Sequence, residues 1–365
     1  MTLEQALAMD AADPLAPYRA QFMCPDKVIY LDGNSLGQLP LVTASASADA
    51  MTHAWGQRLI RGWNEGWIDA PQRVGAMIAP LIGAKADEVI SADSTSVNLY
   101  KLIVAALRLD PSRKVVVSEA GNFPTDLQIA EGAVQAVAGA ELRVVERGAL
   151  ADALGDDTAL LMLTHVHYKT AARFDMVAWT KAAHDAGALV CWDLSHSAGA
   201  VAVELNAAGA DLAVGCGYKY LNGGPGAPAF LFVAKPWQEK LHNPLSGWMG
   251  HAAPFEFADG YEAAAGMKRW LTGTPCVLSL IALESGLKLW ADIDIRQVEA
   301  KSAALWDIFH AAGTAAGLEC VTPSDHDNAA ATSPSAIPKL MKSCKHSLRA
   351  ALSVTSATPT SCALA

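Results

Sequence analysis

The 365-residue chain has no long block of lysine or arginine, and its formal net charge of -10 repels a nucleic-acid backbone rather than collecting it. Binding to DNA or RNA is therefore not expected. Its seven cysteines are scattered, odd in number and without C-x-x-C pairs, which excludes a disulfide scaffold and a structural zinc site as working ideas. The opening M-T-L-E-Q-A-L-A-M-D-A-A-D-P lacks both the basic leader and the apolar centre of a secretory signal. No stretch has the length and hydrophobicity of a membrane span, so a cytoplasmic protein without a membrane partner is expected.

What is present is apolar material, 52% of the chain, enough for one ordinary domain plus a smaller one. Residues 1 to about 20 read as a short helix ending near Pro14. V-I-Y-L-D-G-N-S-L-G then reads as a strand entering a glycine-marked turn. From Leu41 to Ile82 the pattern is helical but interrupted by R-G-W-N-E-G-W, which sets Trp63 and Trp67 one helical turn apart. Farther on, K-V-V-V-S, L-R-V-V-E, A-L-L-M-L-T-H-V, A-L-V-C-W-D and A-F-L-F-V-A are unbroken apolar runs separated by helix-sized segments. Runs with no polar face imply strands buried on both sides, hence an α/β fold with a mostly parallel central sheet and helices on both faces. Any ligand then belongs beyond the C-terminal ends of those strands. After Thr274, L-S-L-I-A-L-E-S-G-L-K-L-W-A-D predicts a long connecting helix. From Ser324 the alternation and the large apolar residues fade, and a poorly ordered tail is expected.

The chemistry concentrates between Val190 and Gly226, in V-C-W-D-L-S-H-S-A-G-A and G-C-G-Y-K-Y-L-N-G-G-P-G. Lys219 follows an apolar run and precedes glycines, a setting in which a neutral amine can approach a planar aldehyde closely. Asp193 ends another such run. Opposite a pyridine nitrogen its carboxylate would keep that nitrogen protonated; equally, it could cap the helix expected to follow. His196, three residues on, could bond either a phenolic oxygen or the aspartate. Thr95 and Ser96, in D-S-T-S-V-N-L-Y-K, stand at a predicted helix N-terminus, which serves a phosphate or merely caps the helix. In E-A-G-N-F-P-T-D, Phe123 offers a stacking face and Asp126 a polar contact, with Pro124 stiffening the turn. Together they fit pyridoxal 5'-phosphate (PLP).

These phrases, with L-T-H-V-x-Y-K-T and G-W-x-G-H…P-F, closely resemble the kynureninases, fold-type I PLP enzymes, over roughly Val28 to Pro275. The resemblance implies a fold-type I PLP-dependent transferase-like architecture with Lys219 as the cofactor-bearing lysine, Asp193 as the pyridine partner and His196 as a further cofactor contact. It places Thr95, Ser96, Thr164 and Tyr218 around the phosphate and cofactor, Phe123 and Asp126 on the ring, and Trp248 and Thr274 at positions completing the pocket, in part across a homodimer interface. Lys219 and Tyr218 are the implied catalytic pair. The implied reaction is hydrolysis of L-kynurenine, or 3-hydroxykynurenine, to anthranilate, or its hydroxy form, and L-alanine in tryptophan catabolism. Trp63, Trp67 and His251 lie in segments that could bound the aromatic end of the substrate. The implied units are an N-terminal segment (1–40), a large PLP domain (41–275), a connecting helix with the start of a small domain (276–323) and an aberrant tail (324–365).

Two departures stand out. His167-Tyr168-Lys169-Thr170-Ala171 replaces the usual N-Y-K-T-G, and Ala171 is strained wherever that glycine needs a positive φ. The family's late G-V-I-G-D-F-R-x-P-x-x-L-R-F-G, whose later arginine grips the substrate carboxylate, is missing, leaving the small domain incomplete. One permitted codon choice for Ala351 to Cys362, read from its third base, gives Val-Ile-Gly-Asp-Phe-Arg-Tyr-Pro-Asp-Ile-Leu. A frameshift between about Pro323 and Met341, and impaired turnover, are therefore expected; the gene sequence decides the first. The rival readings are another PLP enzyme of this fold, aminotransferase or cysteine desulfurase-like, and an inactive PLP-binding dimer. A desulfurase needs a mobile active-site cysteine, whereas Cys191 and Cys216 read as small buried residues.

Overall fold

The structure is a computed structural model that describes residues 3–25 and 28–323. The expectations for 324–365 lie outside them. Along the chain, α1 (Leu3–Ala12) and a 3-10 turn precede α2 (Leu41–Asp49), a π-helical stretch to Arg58, a 3-10 turn and α3 (Ala70–Ile78). There follow β1 (Val89–Ser91), α4 (Thr95–Leu109), β2 (Val115–Glu119), α5 (Pro124–Gln135), β3 (Glu141–Val145), β4 (Thr158–Thr164) and α6 (Met176–Asp185). Next come β5 (Leu189–Asp193), α7 (Leu205–Ala208), β6 (Leu212–Gly215), β7 (Phe230–Val233), α8 (Val277–Leu287) and α9 (Ile295–Ala315).

The seven strands form one sheet in the order β1-β7-β6-β5-β4-β2-β3. β7 is antiparallel to both neighbours, and the pairings from β6 to β3 are parallel. The continuous apolar runs are explained by burial: every residue of β2, β4, β5, β6 and β7 is buried, while edge strand β3 is partly exposed. Alternate residues serve opposite faces. Val117, Leu161, Leu163, Val190, Trp192, Phe230 and Phe232 join a core with α3, α6 and α8. Val116, Leu160, Met162, Cys191, Val214 and Leu231 join another with α4 and α5.

Three local readings are corrected. Residues 28–32 do not form a strand and join no ladder of the sheet; Val28 and Ile29 are exposed. The segment after Asp193 is a run of turns rather than a helix. The short strand β1 was not anticipated. Trp63 and Trp67 are not stacked along one helical face either: they meet edge to face, centroids 5.8 Å apart, across a turn in which Gly62 leaves room for the Trp67 ring.

Candidate active site

The parallel strands bring their C-terminal ends to one edge, and the polar motifs follow those ends. Thr164 and Asp193 close β4 and β5 and are register partners. β6 ends at Gly215 and runs into the turn carrying Tyr218 and Lys219. Asp126 projects from the first turn of α5.

Four buried side chains converge here: Asp126, Asp193, His196 and Lys219, the last only 8% exposed. Lys219 Nζ lies 2.6 Å from His196 Nε2, and about 5.8 Å from the ring centroids of both Phe123 and Tyr218. The Asp126 and Asp193 carboxyl groups lie within hydrogen-bonding reach of each other. Burial, then the neighbouring Asp193, raises the Asp126 pKa well above the ordinary carboxylate range. Asp193 Oδ1 also accepts from the Ser195 N–H at 2.7 Å, which closes the turn that follows β5. Thr164 Oγ bonds Asp126 at 3.2 Å and Asn122 at 2.5 Å.

The lysine's neighbours are tuned by the same lack of water. His196 is lowered to about 3, by burial first and by the Lys219 charge second, so its ring is neutral. Its Nδ1 is buried with no hydrogen-bond partner. Such an orphan marks a place for a ligand atom. Burial pushes the Tyr218 phenol up to about 12, leaving it a hydrogen-bond donor at neutral pH.

Beside this cluster is a cavity of about 220 Å3 lined by Asp93, Ser94, Thr95, Cys216, Tyr218, Gly226, Ala227 and Ala229. It adjoins the start of α4, where Ser94 is the N-cap and its hydroxyl accepts from Val97 N–H at 3.3 Å. Thr95 and Ser96 occupy the first two helical positions, where free N–H groups and the helix dipole suit a dianion. A buried amine, an unpartnered imidazole nitrogen, paired carboxyls and an anion cradle are the donor set that PLP requires.

The loop after Tyr30 holds the lysine turn from the other side. Gly37 N–H donates to the Tyr218 carbonyl at 2.9 Å, and Asn222 donates to the Gln38 carbonyl at 2.9 Å. A second, apolar cavity of about 240 Å3 borders this loop and reaches Trp290, Leu305 and Phe309.

Other expected residues have different neighbours. Trp248 is partly exposed against Phe255, Thr274 is exposed, and His251 packs on Tyr261. Trp63 and Trp67 engage each other. Ala171 has φ of +54°, so the glycine replacement falls on left-handed backbone. Cys191 and Cys216 are buried, as expected. Asn122 was missed although it lies inside a quoted motif: only the fold turns it inward to receive the Thr164 hydroxyl. Among the described residues no cluster could hold a metal, and no helix is long and apolar enough to cross a membrane.

Comparison with known proteins agrees with this geometry. The aminotransferase class-V family pattern matches residues 29–336. A kynureninase of Burkholderia mallei (strain SAVP1) is 50% identical over 336 residues, covering 89% of this chain and 81% of that one. The chain belongs to the kynureninase family. A kynureninase of Deinococcus radiodurans is 47% identical over the same length, covering 89% of this chain and 82% of its own. Among solved structures, the apo cysteine desulfurase of Thermococcus onnurineus NA1 superposes with a TM-score of 0.73 at 18% identity, covering 86% of this chain and 80% of the other. The Escherichia coli desulfurase CsdA gives 0.67 at 21%, covering 80% and 75%. At such identities the likeness concerns the fold, which is the fold-type I PLP architecture.

Proposed function

We propose that this chain hydrolyses the Cβ–Cγ bond of L-kynurenine, releasing anthranilate and L-alanine, with PLP held by Lys219. The observation that carries the reading is the buried Lys219 amine 2.6 Å from a neutral His196, beside the Asp126–Asp193 pair. When bound, PLP supplies an electron sink for the negative charge that develops on the substrate's α-carbon. Asp193, backed by Asp126 and Thr164, holds the proton on the ring nitrogen. His196, whose Nδ1 is buried without a partner, would supply a hydrogen bond to the ring, and Phe123 an aromatic surface for it. Thr95, Ser96 and the first N–H groups of α4 hold the phosphate.

Lys219 would hold the cofactor through its amine and, with substrate bound, would take the α-proton. The Tyr218 phenol donates toward the substrate carbonyl while water adds there. Trp248 and Thr274 complete the pocket from a partner copy in a cytoplasmic homodimer, which agrees with their exposure in the single chain.

The test is incubation with PLP and L-kynurenine, following absorbance of bound PLP and fluorescence of anthranilate. Both signals are expected from the native chain and neither from Lys219→Ala. Anthranilate release by Lys219→Ala at the native rate would overturn the assignment.

A further inference from the structure

Lys101 lies on α4, and its side chain is wholly buried. A buried ammonium persists only where a charge partner and hydrogen bonds replace its lost water. Nζ lies 2.5 Å from a carboxylate oxygen of Asp93 and 2.7 Å from the Trp270 carbonyl. Burial lowers the Lys101 pKa, and the Asp93 charge opposes that shift.

Asp93 is itself unusual. Its φ of +50° places a non-glycine residue in the left-handed region, immediately before the N-cap of α4. Its carbonyl accepts from Ala229 N–H at 2.9 Å, and it borders the 220 Å3 cavity assigned above to the phosphate. One ammonium therefore fixes the residue that aims the helix N-terminus. It also compensates a carboxylate standing beside the place of a dianion. Through Trp270 it ties both to the turn at 266–270.

We propose that Lys101 is a positioning residue for the phosphate end of the site, holding Asp93 in its turn and neutralising it so that α4 can accept the PLP phosphate. The inference rests on the PLP assignment. A lysine that merely filled the core would support every ligand of the site alike. Pyridoxal has the same ring and aldehyde as PLP but no phosphate, and so separates the two roles.

The experiment is absorbance titration of the native chain, Lys101→Met and Lys101→Met/Asp93→Asn with PLP and with pyridoxal. Lys101→Met is expected to lose roughly tenfold or more of its preference for PLP over pyridoxal, because an uncompensated carboxylate then faces the phosphate. Adding Asp93→Asn is expected to restore most of that preference. Equal weakening toward both ligands, or no recovery in the double variant, would overturn the proposal. If Lys101→Met does not fold, Asp93→Asn alone decides: it keeps an acceptor oxygen and tolerates the left-handed turn, so the preference for PLP is retained or raised. A fall would refute the role. A native chain that fails to take up PLP would remove the PLP assignment, and this inference with it.

Discussion

Replacing Gly37 by alanine tests the idea that the 33–38 loop clamps the lysine turn. A Cβ at Gly37 would stand 2.1 Å from the Lys219 carbonyl oxygen, 2.5 Å from Asn222 Nδ2 and 3.1 Å from Asn222 Cα. Two of these are backbone atoms of the turn that carries the amine, so neither can rotate away. The loop must withdraw by about an ångström, which breaks the Gly37–Tyr218 bond and stretches the Asn222–Gln38 bond. Each hydrogen bond contributes about 1 kcal/mol net, and overpacking costs about 1 to 3 kcal/mol more. A total of roughly 3 to 5 kcal/mol bears on Lys219, equivalent to a loss of about two to four powers of ten in cofactor affinity or rate if borne entirely there. Absorbance titration with PLP, together with the thermal midpoint, measures both. Gly37→Ala is expected to weaken PLP uptake at least as strongly as it lowers the midpoint. Native PLP affinity in the variant would refute the clamp. The requirement comes from close approach alone, since Gly37 is not among the positive-φ glycines.

At Ala171, glycine relieves about 1 to 2 kcal/mol of left-handed strain but forfeits a buried methyl and adds unfolded-state entropy, so Ala171→Gly is expected to leave stability within about 1 kcal/mol. Ala171→Val adds a β-branch to that strain and is expected to cost more than about 2 kcal/mol in urea unfolding; a neutral result would mean that the turn is not left-handed. His165 and His196 are both lowered from 6.5 to about 3, chiefly by burial. Their unfolded forms bind protons first, so stability is intact above about pH 6.5 and falls toward pH 3, by about 2 to 3 kcal/mol per ring at pH 4.5. His165→Gln keeps a hydrogen-bonding group near Ser197 and is expected to flatten the pH dependence of the urea midpoint; an unchanged slope would contradict the burial argument.

The sheet was legible because a strand buried on both faces must be apolar throughout, and five such runs stand between helix-sized spacers. Lys219 and Asp193 stood out for a related reason: charged groups ending apolar runs are expensive unless they serve a site, and the fold buries both in one cluster. Lys101 carried the same signal, a cation among Leu99, Leu102, Ile103 and Val104, and was passed over because its partners lie 8 and 169 residues away. Sequence patterns also failed at 28–32, where strand-like residues stay outside the sheet with Val28 and Ile29 exposed.

By itself the sequence determined the fold class, through its buried apolar runs, and the cofactor class, through motifs shared with the kynureninases. Only the tertiary structure decided that Asp126 lies buried beside Asp193, that His196 is neutral, that Ala171 is left-handed and that Gly37 has no room for a methyl. Those properties depend on distances between residues far apart in the chain and on how much water the packing excludes.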